Sequence, residues 1–282
     1  MTIRTVAVLG AGTMGHGIAH AAMTAGYETR LYDVGDAPLA AARTTIDGIL
    51  RKAVELGKVS VPEAEAAMAR LSTSTSVADV VRDCDLVIEA APERIDLKLS
   101  LMAEVDRHAP TGAVIATNTS ALSITEIASS TTLPSRVVGM HFFNPVHKMK
   151  LIEIVRALES SEAALTTVAA VAKQMGKETV LVRESPGFIT SRVNASIGNE
   201  AFYMLMEGVA SARDIDKALK LGLNHPMGPF ELVDLVGLDT RLSILEYLQK
   251  SMGEKYRPCP LLGQYVKAGR LGRKVGKGVY EY

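Results

Sequence analysis

The stretch TVAVLGAGTMGHGIAHAAMTAG, followed shortly by RLYD, constrains this chain more than any other part of it. Gly10, Gly12 and Gly15 stand in G-x-G-x-x-G register behind Thr5–Leu9, an aliphatic run that reads as a buried strand. In a chain with 23 glycines the spacing alone says little, but its context says more. A strand precedes it, the helical spacing of Met14–Ala25 follows, and Asp33 closes the next strand, Thr29–Tyr32. That is the setting of a dinucleotide-binding βαβ unit. Gly10 permits a tight turn, Gly12 lets backbone approach a pyrophosphate, and Gly15 lets helix and strand pack closely. The helix start offers N–H groups and a partial positive charge to the phosphates. Gly10, Ala11, Gly12, Thr13, Met14 and Gly15 therefore form the cofactor-binding candidate, with Asp33 accepting from the adenosine ribose hydroxyls. Asp33 also repels a 2′-phosphate, and Val34-Gly35-Asp36 supplies no arginine to reward one, so NAD is expected over NADP.

The same alternation of short aliphatic runs and helical stretches continues downstream, which implies parallel βαβ units. Further strands are expected at Leu86–Ala90, Val114–Thr117, Val137–Phe142, Leu151–Val155 and Thr179–Val182. Further helices are expected at Asp36–Leu56, Leu97–His108 and Glu162–Met175. After Ser185-Pro186-Gly187 the texture changes: Phe188, Val193, Ile197, Ala201 and Leu205 recur as one stripe of a long helix. Helical segments follow at Ala212–Lys220, Pro229–Gln249 and Leu261–Ala268, without a convincing strand. The expected fold is α/β, a Rossmann-type, mostly parallel sheet domain over residues 1–185, followed by a smaller all-α domain over 186–282. The apolar stripe is expected to bury itself against the first domain, a second subunit, or both.

Charge narrows the partners. Lys plus Arg equals Asp plus Glu at 31 each, so no global field attracts nucleic acid or an anionic membrane. Cys84 and Cys259 lack the paired spacing of a zinc site or disulfide framework, which suits a reducing compartment. MTIRTVAV already reads as a strand rather than a cleavable leader, and the C-terminal GVYEY carries no peroxisomal address. No apolar run approaches the roughly 20 residues of a membrane span. A cytoplasmic protein with no nucleic-acid, membrane or metal partner is the expectation.

A dinucleotide site implies hydride transfer, and oxidising an alcohol also requires a base for its proton, a task that suits histidine. Of six histidines, His16 and His20 lie on the first helix, His108 at a helix end, His147 in a loop and His225 before a proline. His141 stands at the C-terminal end of the strand RVVGM, where ligands bind in open α/β sheets. Glu153, inside LIEIV, would need a partner if buried, and His141 would satisfy it and fix its own tautomer. Spacing alone equally allows a hydrogen-bonded corner histidine and a glutamate on the wet face of an edge strand.

The motifs NTSALSITEIA, HFFNPVHKMKLIEIV, ESPGFITSR, LNHPMGPFELVDLVGLD and GRKVGKGVYEY occur in this order. Together they resemble the L-3-hydroxyacyl-CoA dehydrogenases over essentially the whole chain, and most of all their short bacterial 3-hydroxybutyryl-CoA members. The resemblance implies a Rossmann-type domain followed by a helical substrate and dimerisation domain, and a homodimer. It implies reversible oxidation of a (3S)-3-hydroxyacyl-CoA to the 3-oxoacyl-CoA with NAD, as in fatty-acid and butanoate metabolism. His141 would be the base, Glu153 its partner, Ser120 the group on the substrate oxygen, and Asn144 a positioning group for cofactor and histidine. Glu93, Lys98 and Lys274 match cofactor contacts, while Lys52 and Lys58 match the region that binds coenzyme A. By residue chemistry alone, Ser120 reads as a helix cap, Asn144 as a turn, and the charged residues as solvated surface. One position departs: Ser191 stands where the family pattern P-G-F-x-x-N-R has asparagine, with a shorter reach and no second amide donor. Asn194, one turn on, is placed to compensate in part. Two other functions stay open on the sequence: a same-fold dehydrogenase of a free hydroxy acid, of the L-gulonate or carnitine type, and a non-catalytic NAD(H)-binding protein.

Overall fold

The computed structural model describes residues 2–282, so Met1, the first residue of MTIRTVAV, lies outside the described residues. By Cα packing the chain divides after Glu184 into two compact units. The first unit holds eight strands: β1 (Thr5–Leu9), β2 (Glu28–Tyr32), β3 (Leu71–Ser74), β4 (Leu86–Glu89), β5 (Val114–Thr117), β6 (Val137–Phe142), β7 (Leu151–Arg156) and β8 (Glu178–Arg183). Its helices are α1 (Thr13–Thr24), α2 (Asp36–Glu55), α3 (Val61–Ala69), α4 (Val77–Val81), α5 (Ile95–His108), α6 (Ile124–Ala128) and α7 (Glu162–Gln174).

The strands form one sheet in the order β3-β2-β1-β4-β5-β6-β7-β8. All neighbours pair parallel except β6 and β7. The α/β class with a mostly parallel sheet is thus the observed one. The chain leaves β1 toward β2 on one side and returns to β4 on the other, which opens a crevice above the ends of β1 and β4. Helix-covered parallel strands carry continuous apolar runs, and Val6, Ala7, Val8 and Leu9 of β1 are all fully buried. Ile18, Leu31, Ile46, Leu86 and Ile88 join Val6 and Val8 in one core cluster.

The expected strand and helix positions in this unit recur within a few residues of their ends. The exceptions have clear causes. The strand β3 reads LSTS, too polar to signal burial, and only its pairing with β2 makes it a strand. The helix α3 is announced by a capping box, in which Ser60 accepts from Glu63 N–H while the Glu63 carboxylate accepts from Ser60 N–H.

The second unit, Ser185–Tyr282, consists of α8 (Thr190–Met206), α9 (Ala212–Gly222), α10 (Pro229–Val236), α11 (Leu238–Met252) and α12 (Pro260–Lys267) around its own core. The expected single helix over Pro229–Gln249 is broken in two at Gly237. Its φ of 107° is left-handed, and a Cβ there would stand 2.9 Å from an Asp239 oxygen. The expected stripe on α8 divides between two surroundings. Ala195, Gly198, Ala201 and Phe202 face the core, whereas Val193 is 51 % exposed and Phe188 precedes the helix altogether. The Phe202 ring packs edge-on against Phe230 in this core, which also takes Ala201 from the expected stripe, while Val193 stays outside it.

Candidate active site

The loop after β1 is built to receive an anion. Gly10 has φ 104°, and a Cβ on it would meet the Ala90 carbonyl oxygen at 2.7 Å. Gly15 is more restricted still, since a Cβ there would lie 1.6 Å from the Gly10 oxygen. A Cβ at Gly12 would meet nothing within 4 Å, so the backbone there borders open space. The first turn of α1 has no side-chain cap and no acidic residue, which leaves its N–H groups and dipole for a phosphate. The Asp33 carboxylate accepts from Ala11 N–H at 2.7 Å and Val34 N–H at 2.8 Å, which fixes it beside the loop. Glycine loop, open helix start and strand-end acid therefore fit a dinucleotide.

Across the crevice, the antiparallel register of β6 and β7 sets His141 opposite Glu153. His141 Nδ1 lies 2.7 Å from a Glu153 carboxylate oxygen, with Glu153 wholly buried and His141 5 % exposed. Because β8 covers its far side, β7 is an interior strand, so Glu153 has no wet edge. The Phe143 ring leans on the imidazole, centroids 4.6 Å apart. Asn144 follows in an exposed loop that starts with a cis Asn144-Pro145 bond.

Ser120 sits in the loop after β5, and the cap of α6 is Ser123, which accepts from Glu126 N–H. Ser120 N–H donates to Glu93 at 2.8 Å, as does the Thr119 hydroxyl at 2.6 Å. Lys98 is buried and pairs with Glu89 at 2.7 Å. Asn118, not singled out by sequence reasoning, ties this loop to the histidine strand by accepting from Phe142 N–H at 2.8 Å. Glu89 and Thr117 were also missed. A glutamate ending the aliphatic strand LVIE was their one signal, of the same kind that marked Glu153.

The other predicted residues lie elsewhere. Lys52, in the last turn of α2, pairs with Glu55 at 2.8 Å, and Lys58 is exposed in the turn beyond it. Between α2 and α3 runs a groove of about 930 Å³ whose lining includes Arg43, Arg51, Leu50 and Met68. In the second unit, Ser191 occupies the first turn of α8, Asn194 is exposed one turn on, and Lys274 bonds both Asp239 carboxylate oxygens at 2.6 Å.

A second group of titratable side chains flanks the Asn144 loop. Burial pushes the His20 imidazole down to about 4, aided by His147, Lys177 and His16. His147 is likewise lowered, first by burial and then by Lys148, Lys177 and His16. Lys177 donates to the Val146 and Met149 carbonyls at 2.5 and 2.8 Å and so straps the loop.

Comparison with known proteins agrees along the whole chain. Residues 5–185 match the model of the 3-hydroxyacyl-CoA dehydrogenase NAD binding domain, and residues 187–282 that of the 3-hydroxyacyl-CoA dehydrogenase C-terminal domain. A probable 3-hydroxybutyryl-CoA dehydrogenase of Bacillus subtilis is 46 % identical, covering 100 % of this chain and 98 % of its own. The mitochondrial hydroxyacyl-coenzyme A dehydrogenase of Sus scrofa is 38 % identical over 99 % of this chain and 91 % of its own. Among solved structures, the (S)-3-hydroxybutyryl-CoA dehydrogenase of Ralstonia eutropha superposes with a TM-score of 0.95 at 43 % identity, covering 100 % of this chain and 99 % of that one.

Proposed function

This chain belongs to the 3-hydroxyacyl-CoA dehydrogenase family, and from that premise we propose that it reversibly oxidises (3S)-3-hydroxybutyryl-CoA to acetoacetyl-CoA. The cofactor is NAD. The observation that carries the proposal is the buried His141–Glu153 pair, whose strand β6 lies beside β5, the strand that leads into the Ser120 loop.

Bound NAD supplies the hydride acceptor; the protein's own residues do the rest. With its Nδ1–H donating to Glu153, the His141 imidazole carries its basic lone pair on Nε2, which takes the proton of the C3 hydroxyl. Glu153 stabilises the imidazolium that forms and holds the ring against rotation. Ser120 binds the C3 oxygen, and Asn144 orients the substrate and cofactor ends that meet there. Glu93 and Lys98 complete the cofactor side, and Lys274 adds a contact from the C-terminal tail. Much of the rate comes from holding the reacting carbon and its acceptor in near contact.

Coenzyme A needs cations for its phosphates. The groove between α2 and α3, with Arg51 at its rim and Lys52 and Lys58 nearby in sequence, supports that role for this helical pair. We assign cofactor binding to residues 1–185, and substrate selection and homodimer formation to residues 186–282, with Ser191 tuning the acyl group accepted. We place its site of action in the cytoplasm; among the described residues no helix is long and apolar enough to cross a membrane.

The test is kinetic. With acetoacetyl-CoA and NADH, His141→Ala is expected to lower kcat at least a thousandfold, within the range for loss of a general base, while NADH still binds. A rate within tenfold of the unaltered enzyme would remove His141 from the mechanism. Turnover of free acetoacetate at a comparable rate would reassign the substrate.

A further inference from the structure

The end of β4 carries a charge cluster built on other elements than those that hold His141 and Glu153. Lys98 lies near the start of α5 with its side chain 1 % exposed, and a buried cation at a helix N-terminus is unfavourable unless anions surround it. Its ammonium donates to Glu89 at 2.7 Å and to the Ala91 carbonyl at 3.2 Å, and pairs in charge with Glu93 at 3.4 Å. The wholly buried Glu89 carboxylate also accepts from Ala91 N–H and from the Thr117 hydroxyl, each at 2.6 Å. Glu93 spends its other oxygen on the Thr119 hydroxyl, Ser120 N–H and Ala121 N–H.

These contacts join two margins of the crevice. On one side, Ala90 and Ala91 form the turn against which Gly10 packs, with no room for a Cβ between them. On the other, Glu93 fixes the backbone of Ser120. We propose that Glu89 is a positioning residue for the reaction: by holding Lys98, and through it Glu93, it sets the Ser120 loop relative to the Gly10 turn. The proposal rests on the substrate-binding role given to Ser120 above. A well-packed apolar pair would fill the same space without loss of stability, but it would leave no cation facing Glu93. Hydride transfer is sensitive to such placement, since a misplacement of about 1 Å costs on the order of a hundredfold in rate.

Glu89→Gln keeps the shape and an acceptor for Thr117 but removes the charge, so Glu93 becomes the one carboxylate left to Lys98. Amide exchange at Ser120 and Ala121 is expected to accelerate about tenfold, while Val87 and Ile88 in β4 keep their protection. With acetoacetyl-CoA, kcat should fall about ten- to a hundredfold. Glu89→Gln combined with Lys98→Met removes both buried charges; it should recover the thermal midpoint yet keep the exchange and kcat defects. Unchanged exchange at Ser120 and Ala121 in Glu89→Gln would overturn the proposal. So would a double variant that regains kcat together with its midpoint, because the pair would then be structural only. If the unaltered chain itself failed to reduce acetoacetyl-CoA, the functional reading would fall, whereas the exchange measurement would still decide what Glu89 holds in place.

Discussion

At the scale of single residues, a buried ionisable group marks either a pairing or a cost. Glu153 shows the pairing: flanked by Ile152 and Ile154 it has no water, and the register of β6 against β7 brings an imidazole to it. His20 shows the cost. Its folded-state pKa of about 4 lies below the 6.5 of a free imidazole, so the unfolded chain takes up the proton first as pH falls. Above 6.5 both states are neutral and folding loses nothing. Between about 6.5 and 4 stability declines, by at most about 3.5 kcal/mol at about 1.4 kcal/mol per unit. His147, lowered in the same direction, adds to the decline within that window. The urea midpoint should therefore drop between pH 7.5 and pH 5, and His20→Gln should flatten that drop. An identical pH slope in the variant would show that His20 is not its source.

At the scale of elements, the site depends on how closely the loop after β6 approaches α1. Gly17 is the reason it fits: a Cβ on it would stand 2.9 Å from the Val146 Cβ and Cγ2, two residues beyond Asn144. Gly17→Ala is expected to push the loop outward and lower kcat/KM about tenfold, whereas Val146→Ala in the same chain should restore most of it. If the two effects merely add, the contact does not set the loop. The sequence could name Asn144 by motif but gave no sign of Gly17, because a close approach between segments about 130 residues apart leaves no local pattern. Periodicity, by contrast, located β1, β5 and β6 to the residue, since each is a continuous aliphatic run bounded by turn residues. On α8 the hydrophobic spacing named Ala201, which the core takes, but not Phe202, which packs against Phe230 across elements. Glu89 escaped for a related reason: its partners Lys98 and Thr117 come from different elements, and only the sheet order unites them.

At the scale of the molecule, each unit carries its own core, but the helical one leaves much apolar surface open. Val193 and Met206 on α8, with Leu235 and Val236 on α10, are large apolar side chains exposed to solvent on the chain taken alone. Fewer than 100 residues bury a limited fraction of their surface, so such a unit gains from covering its apolar face. A second copy offers the same face, and a two-fold pairing satisfies both at once without leaving an open end. Sedimentation should accordingly show a two-chain particle at micromolar concentration. Val193→Glu together with Leu235→Glu would bury four carboxylates in the paired state, one pair from each copy, with no cation provided for them. Uncompensated charges of that kind cost several kcal/mol, enough to weaken the dimer at least a hundredfold. The variant should then sediment as a single chain while still binding NADH, whose glycine loop lies in the first unit. A two-chain particle that survives both substitutions would move the interface off α8 and α10, and a single chain before any substitution would remove the dimer itself.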